Sequence, residues 1–293
     1  MKKTKKLIPY AFIAPHVILF IIFFLYPTGM GIVASFHRWN IFSPMEWVGL
    51  DNYRLLFEAS ESVVRRQFWN GLGNTVLFVM ITVPFQIALP LFIAVLLYLK
   101  PKGRNFFQAV FYVPTLLSVT SVTFAWLTMF HRSLGLWNRM FGINVNWFGE
   151  QPYAWMTIVI TTLWWVIGIN MIIYIAALNG VDKEMLEAGS VDGANGFKKF
   201  FYLVIPAIKL PIVFTVVTSI ISQFNIYGQP LILTLGGPSE TTYVLLMYIR
   251  DLAFGTGRPI AGPASAMATI LGLVIGVVSV GQLIVVRKAG GDD

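Results

Sequence analysis

Six long runs of apolar residues with almost no charged side chain occupy most of this 293-residue chain. A helix needs about 20 apolar residues to cross the hydrocarbon core of a bilayer. Strands of a membrane barrel show instead about ten residues of alternating hydrophobicity, a pattern that these runs lack. The runs predict an all-α membrane protein with six transmembrane helices in one domain covering residues 1–293. The spans are predicted near residues 8–35, 72–99, 105–130, 154–178, 203–226 and 264–286.

The amino-acid composition also indicates a membrane protein. Only 12% of the residues are charged and the mean hydropathy is +0.73, whereas a soluble domain has about 25% charged residues. The chain has no cysteine, which excludes disulfides, thiolate metal sites and thiol catalysis. Its net charge of +8 comes from basic residues scattered through short loops, a pattern typical of topology signals rather than of a nucleic-acid surface.

The Lys and Arg residues beside the spans predict the orientation, because basic residues concentrate in cytoplasmic loops. With the N-terminus inside, the cytoplasmic segments carry 12 basic residues and the longer outer segments carry 8. The cytoplasmic set comprises Lys2, Lys3, Lys5, Lys6, Lys100, Lys102, Arg104, Lys183, Lys198, Lys199, Arg287 and Lys288. The outer set comprises Arg38, Arg54, Arg65, Arg66, Arg132, Arg139, Arg250 and Arg258. Both termini are therefore predicted to be cytoplasmic, with the first run as an uncleaved anchor, since a signal peptide has only about 7–15 apolar residues.

Reactive groups are scarce within the spans. No Asp or Glu lies in any predicted span, Lys209 is near enough to a span end to reach the membrane surface, and His16 has no carboxylate nearby in sequence. The sequence also has no Gly-x-x-x-x-Gly-Lys-Ser/Thr phosphate loop and no His-Glu metal spacing. The chain is therefore predicted not to be an enzyme and to have no cofactor or metal of its own. Prolines within the spans, such as Pro84, Pro90 and Pro206, predict kinks that help a helix bundle to enclose a cavity.

The loop at residues 179–202 is rich in charged residues and is predicted to fold rather than to act as a tether. Val181, Met185, Ala188 and Gly189 have the spacing of one helix face, which predicts a short helix lying parallel to the membrane. Gly193 follows and is predicted to turn the chain with a positive φ.

The same loop contains a recognisable motif. Glu187-Ala188-Gly189, three residues, Gly193, nine residues and then Leu203-Val204-Ile205-Pro206 resemble the EAA loop in membrane subunits of ABC importers. Weaker likenesses to the carbohydrate branch of these permeases occur along the chain. They are Tyr26-Pro27, Ser35-Phe36, Val48-Gly49-Leu50-Asp51-Asn52-Tyr53, Asn74-Thr75, Phe111-Tyr112-Val113-Pro114, Gly135-Leu136, Leu233-Thr234-Leu235-Gly236-Gly237-Pro238 and Ala253-Phe254.

The resemblance implies a MetI-like, type I ABC importer fold and an inner-membrane location. It implies that the loop couples the chain to an ATPase through Glu187, Ala188, Gly189, Asp192 and Gly193. For Asp192, a structural role in turning the chain is favoured over direct contact with the ATPase. The implied partners are a second homologous permease subunit, two ATPase subunits that bind ATP and Mg, an extracytoplasmic binding protein and its sugar, in a lipid bilayer and without nucleic acid.

Two polar stripes are candidates for the substrate pathway, because in the resembling permeases these stretches line the transport cavity. Both have the spacing i, i+3, i+4 and i+7, which places their members on one helix face. The fifth span contributes Ser219, Ser222, Gln223 and Ile226, and the fourth contributes Thr162, Trp165, Val166 and Ile169. Hydroxyl, amide and indole groups suit a sugar, but the same groups also join helices by hydrogen bonds. Asn170 and Tyr174 are reserve candidates on a neighbouring face.

Three other functions remain open at this point. An ion-coupled secondary transporter would need acidic residues near the middle of the bilayer, and the sequence does not provide them. An ABC permease for a solute other than a sugar would have the same loop. A membrane scaffold without transport activity would not need a loop of small residues.

Overall fold

The computed structural model of the protein describes residues 4–58, 62–255 and 260–290. Lys2, Lys3 and Arg258, which entered the orientation argument, lie outside these residues. The chain divides into two compact units. Unit 1 contains Met1–Trp69 and Tyr248–Leu273, and unit 2 contains Asn70–Met247 and Val274–Asp293.

Unit 1 begins with apolar helices and continues into a small hairpin. Helix α1 (Thr4–Phe20), a π-helical turn (Ile21–Leu25) and α2 (Tyr26–Ser35) follow one another. Strands β1 (His37–Arg38) and β2 (Glu46–Trp47) are antiparallel, with His37 opposite Trp47. Helix α3 (Asp51–Phe57) carries Asn52, whose buried amide donates to Ser35 O at 2.8 Å and to His37 O at 2.9 Å and so fixes the chain where α2 ends.

Four helical segments are long and apolar enough to cross a membrane as single elements, and they correspond to the first, second, fourth and sixth predicted spans. They are Phe12–Ser35, α4 (Val63–Tyr98), α8 (Tyr153–Asn179) and the first part, Ala261–Gly281, of α15 (Ala261–Gly290). Many of their large apolar side chains are exposed, among them Phe23, Met80 and Phe92. This exposure suits a lipid environment, where apolar surface has no cost.

The third predicted span is sharply bent. Helix α5 (Arg104–Tyr112) and a 3-10 turn (Val113–Leu116) meet α6 (Val119–Met129) at 106°. Pro114 lies in the turn, and Leu117 is extended with ψ 150°. Ser118 then starts a new helix by accepting the Ser121 N–H at 3.2 Å. A proline followed by an N-cap ends one helix and begins another in a new direction, so residues 105–130 form two segments and not the straight helix that the length of the run suggests.

The fifth predicted span is bent by 70°, near the kink that Pro206 predicts. A π-helical turn (Phe200–Val204) and a short α11 (Ile205–Ala207) precede Ile208, after which α12 (Lys209–Phe224) begins. The described part of the chain therefore has six apolar crossings if each bent pair counts as one. Shorter helices also occur along the chain. Those that precede this bend in sequence are α7 (Leu136–Phe141), α9 (Lys183–Val191) and α10 (Gly196–Lys199). Those that follow it are α13 (Gly228–Leu233) and α14 (Leu245–Phe254).

Unit 2 contains two apolar clusters. The first is rich in aromatic rings, with Trp126 and Phe130 stacked at 5.2 Å between centroids and Phe130 at 4.9 Å from Trp147. The second joins α4, α8 and the start of α12 through Ala94, Leu97, Met171, Tyr174, Ile175, Leu178, Val181 and Ile208. The first cluster borders the cavity described below, since Trp165, Ile226 and Tyr227 belong to both.

Candidate functional site

A cavity of about 290 Å³ in unit 2 brings the two predicted polar stripes together. The stripe residues in its wall are Thr162, Trp165, Val166, Ser222, Gln223 and Ile226. The other wall residues are Val119, Asn225, Tyr227, Gly228 and Gln229. The wall that the structure describes thus combines amide, hydroxyl and aromatic groups and contains no acidic or basic side chain.

Two stripe residues lie outside this wall. Ser219 is buried and accepts a hydrogen bond from Asn170 Nδ2 at 3.2 Å. Ile169 is 51% exposed and is not among the wall residues. The stripes therefore contribute six of their eight members to the cavity wall, and Ser219 instead forms part of the contact between α8 and α12.

The segment directly after the fifth span was missed by the sequence analysis. Asn225, Tyr227 and Gln229 alternate along the three-residue break after α12 and the start of α13, and all three reach the cavity wall. Their signal is a group of polar and aromatic residues at the end of an apolar run. Tyr227 and Gln229 lie beyond the predicted span, which ends at residue 226, and Asn225 lies within it but off the i, i+3, i+4 and i+7 spacing of the stripe.

The bend between α5 and α6 also shapes the cavity. Leu117 is extended at the break, and its carbonyl accepts the indole N–H of Trp165 at 3.0 Å. Val119, the first residue of α6, lies in the cavity wall. The break thus supplies a wall residue and also an acceptor that orients the ring of Trp165.

A buried polar network lies behind Gln223. Pro90 has no N–H, so the carbonyl of Gln86, four residues earlier in α4, loses its helical donor. Asn170 Nδ2 supplies the missing donor to Gln86 O at 3.0 Å. The side chain of Gln86 accepts from Gln223 Nε2 at 2.8 Å. The reserve candidate Asn170 therefore supports the wall and does not line it.

Tyr174, the other reserve candidate, is fully buried and its hydroxyl group is hydrogen-bonded to Thr215 Oγ1. Thr215 donates in turn to Ile212 O at 2.9 Å. This pair joins α8 to α12. Neither residue is in the cavity wall.

The loop at residues 179–202 contains the short helix that its sequence predicts. Asp182 caps α9 by accepting the Glu184 N–H at 2.9 Å, a role that the sequence analysis did not assign although Asp is a preferred N-cap residue. Asp192 ends the helix, and its N–H donates to Ala188 O at 3.0 Å. Gly193 follows with φ +76°, which confirms the predicted positive φ.

One residue of α9 lies on a different face of the helix from the one that the sequence predicts. Met185, Leu186 and Gly189 are half-buried, whereas Ala188 is exposed. Because the buried face is centred between Met185 and Leu186, a residue at 188 lies more than a quarter turn away from it. The outward face of α9 consists of Glu184, Glu187, Ala188 and Val191, so Glu187 and Ala188 are both available to a partner.

Several apolar helices, a polar cavity between them and a capped surface helix in a loop define a multi-pass membrane transport component. The family model described as "Binding-protein-dependent transport system inner membrane component" matches residues 59–290. The chain belongs to this family. It is the permease component of an importer that works with a binding protein, and it is a transport subunit and not an enzyme. It lies in the inner membrane as a multi-pass protein.

Several relatives match nearly the whole chain. The arabinooligosaccharides transport system permease protein AraP of Halalkalibacterium halodurans is 30% identical, over 96% of this chain and 88% of its own length. The lactose transport system permease protein LacF of Rhizobium radiobacter is 29% identical, over 94% and 93%. The probable ABC transporter permease protein YesP of Bacillus subtilis is 30% identical, over 95% and 92%.

Solved structures share the fold. A bacterial ABC transporter that imports the acidic polysaccharide alginate has a chain that matches with a TM-score of 0.83 and 22% identity, covering 98% of this chain and 99% of that one. The MetNI methionine ABC transporter matches with a TM-score of 0.56 and 13% identity, covering 79% and 98%. The MetI-like ABC importer fold expected from the motif is thereby confirmed.

Proposed function

We propose that this chain is a single permease domain that forms half of the translocation pathway for a neutral carbohydrate. A second homologous permease subunit would complete the pathway. Two ATPase subunits would supply the energy by hydrolysing Mg-bound ATP, and an extracytoplasmic binding protein would deliver the sugar. Both termini would lie in the cytoplasm, in agreement with the excess of basic residues in the short loops.

The composition of the cavity wall is the observation that carries the carbohydrate proposal. Ser222, Gln223 and Asn225 offer hydroxyl and amide groups, and Trp165 and Tyr227 offer aromatic rings. A sugar has both hydroxyl groups that need such partners and C–H faces that pack on rings. Ligand sites typically combine apolar walls with a few placed polar groups, and the absence of charge from the described wall suits a neutral solute. The names of AraP and LacF support the same class.

The outward face of α9 supports the proposal that this helix binds the ATPase. Glu187 is exposed on it, next to the small Ala188, and Val191 is 88% exposed just beyond. An exposed apolar side chain beside an acidic one on a capped, rigid helix is suited to a protein partner. Rigid-body movement of such a helix is a common way to transmit a conformational change.

The test is the ATPase activity of the assembled transporter in liposomes with its binding protein. The panel comprises arabinooligosaccharides, lactose and, as a solute of another class, methionine. We expect one of the sugars to stimulate hydrolysis and methionine to leave it unchanged. Stimulation by methionine alone would replace the carbohydrate proposal with a permease for a different solute.

A matched pair of variants tests the cavity. Asn225→Leu removes an exposed amide from the wall at similar volume, whereas Thr218→Val changes an exposed polar residue on α12 that is not in the wall. We expect the first variant to lose stimulation by the sugar and the second to retain it. Equal activity in both variants would contradict a role of this cavity in transport.

A further inference from the structure

Helix α5 has an unusual direction for part of an apolar run. Its neighbour α6 runs along α8 towards the residue at which α8 begins. At the beginning of α6, the carbonyl of Leu117 accepts the indole N–H of Trp165 at 3.0 Å. At its end, Phe130 packs on Trp147, whose carbonyl accepts a hydrogen bond from Thr157 Oγ1 at 3.3 Å. Because α8 is long enough to cross a membrane and α5 meets α6 at 106°, α5 runs nearly parallel to the membrane surface.

A close contact with α8 indicates the depth of α5. A Cβ atom on Gly168 would lie 2.6 Å from Phe111 O and 2.7 Å from Tyr112 Cα, so only glycine at this position lets the two backbones touch. Beyond this contact α8 continues to Asn179, a length of about 16 Å at 1.5 Å per residue, before the charged loop begins. The headgroup layer accounts for about 5–7 Å of this length. The end of α5 therefore lies about 10 Å inside the hydrocarbon boundary, a depth typical of helices in the membrane interface.

The exposed face of α5 is apolar and aromatic. No residue of this helix is buried. Arg104, Gln108 and Phe111 are half-buried and share the face that is turned towards the protein, with the spacing i, i+4 and i+7. On the opposite face, Phe106 is 68% exposed and Val110 is 48% exposed. Such a surface is unfavourable in water and favourable among acyl chains.

Three basic residues lie at the start of α5. Lys100 and Lys102 are exposed in the turn after α4, and Arg104 is the first residue of the helix. The backbone of the turn is specific, with φ +54° at Lys100 and +80° at Gly103. Arg104 Nε is buried and has no hydrogen-bond acceptor among the residues that the structure describes. Residues 62–149 contain no Asp or Glu, so the chain provides no acidic group close in sequence to neutralise this cluster.

We propose that α5 lies in the membrane interface and that Lys100, Lys102 and Arg104 bind the phosphate groups of anionic phospholipids there. The apolar face with Phe106 and Val110 would enter the acyl region of the same leaflet, which is cytoplasmic in the orientation proposed above. An amphipathic helix that combines an apolar face with basic residues binds anionic membranes by both effects. The inference goes beyond the transport function and does not depend on the identity of the solute.

A depth measurement tests the position of α5, and the lack of cysteine in the chain makes single labels possible. Phe106→Cys is spin-labelled before the transporter is assembled in liposomes. Phe92→Cys, 61% exposed on α4, is the membrane reference, and Glu58→Cys, exposed at the end of α3, is the water reference. We expect the ratio of oxygen to nickel-complex accessibility at position 106 to lie between the two references. A ratio equal to that of Glu58→Cys, or a label shielded from both reagents by another subunit, would contradict the proposal.

A matched pair of double variants tests the lipid site. The measurement is the association of spin-labelled phosphatidylglycerol relative to spin-labelled phosphatidylcholine with the reconstituted transporter. For Lys100→Gln with Lys102→Gln, we expect the preference for phosphatidylglycerol to fall at least about fivefold, because basic residues near an anionic surface attract its lipids. Lys183→Gln with Lys198→Gln removes the same charge from exposed residues of the next cytoplasmic loop, and the preference should stay within about twofold of wild type.

Charge-preserving variants separate the charge from the side chain. Lys100→Arg with Lys102→Arg should retain the preference for phosphatidylglycerol. Equal effects of the two Gln pairs, or no preference in the wild-type chain, would contradict the proposal. Loss of ATPase attachment in phosphatidylcholine alone would show that the basic turn binds the ATPase instead. None of these measurements requires sugar or ATP, so a failure of the proposed transport function would leave their outcome unchanged.

Discussion

The loop around α9 and the wall of the cavity are built in opposite ways. Side-chain hydrogen bonds in the loop join residues at most nine positions apart, as from Lys199 to Ser190, and most of its polar groups are exposed. In the network behind the cavity, Gln86 pairs with Gln223, which is 137 positions away, and both side chains are buried. The loop is a local structure, whereas the cavity exists only when distant helices have packed.

The two regions should therefore respond differently to substitution. An exposed residue on α9 can change without unfolding the chain, so its effect should appear in the binding of a partner. A buried residue of the network leaves an unpaired polar group when its partner is removed, which costs about 1–3 kcal/mol. Its effect should appear first in stability.

The largest effect is expected for Glu187→Lys. Reversing the charge in the centre of the outward face of α9 should reduce sugar-stimulated ATP hydrolysis more than about tenfold, the factor that corresponds to 1.4 kcal/mol. The folded chain should keep its thermal stability, because Glu187 is exposed. Copurification of the ATPase and hydrolysis rates are the measurements. Glu58→Lys makes the same charge change outside the loop, and an equal loss there would show that charge alone is responsible.

The network should lose stability when Asn170 is replaced by Leu. The carbonyl of Gln86 would then have no donor, and we expect unfolding to become easier by about 1–3 kcal/mol. Thermal unfolding in detergent measures the change. In a Pro90→Ala background, residue 90 regains an N–H that can reach Gln86 O, so the loss should be smaller. An equal loss in both backgrounds would contradict this account of the network.

Replacement of Gly193 by Ala tests the local structure of the loop itself. Gly193 has a φ of +76°, and a residue with a side chain in this conformation lowers the stability of the fold by about 1–2 kcal/mol. We expect a lower midpoint of thermal unfolding. If the loop alone changes conformation to relieve the strain, we expect weaker attachment of the ATPase instead. Gly196→Ala in the same loop has no positive φ and open space. Identical behaviour of the two variants would show that the turn has no such requirement.

The smallest effect is expected for Ser222→Ala. This residue is in the cavity wall but outside the buried network, so its loss removes at most one hydrogen bond to the solute, about 0.5–1.5 kcal/mol. The sugar concentration for half-maximal transport should rise a few fold, with ATPase attachment and stability unchanged. Thr218→Ala, on the same helix and outside the wall, is the control. A loss of stability in Ser222→Ala alone would place this hydroxyl group in the structural network.

Much of this architecture was predictable because it depends on local properties. The lengths of the apolar runs predicted the long apolar helices, and the position of Gly193 after a small-residue helix predicted its positive φ. The stripe containing Ser222 and Gln223 was found from helical spacing. The bend at Ser118 was not predicted, because the run was judged by its length and the sequence of Pro114 followed by Ser118 was not considered as a helix end and a new N-cap. Ala188 was placed on the wrong face because the spacing did not show that Leu186 would be buried.

The sequence by itself determined that the chain is a helical membrane protein with a short helix of small residues in one loop, because hydrophobic length and backbone preference are properties of short segments. It also contained the motif by which the family can be identified. Only the tertiary structure decided that Asn170 supplies the donor that Pro90 removes from α4, and that Asn225, Tyr227 and Gln229 line the cavity. A polar group in an apolar interior must find a partner, and which partner it finds depends on the helices that pack beside it.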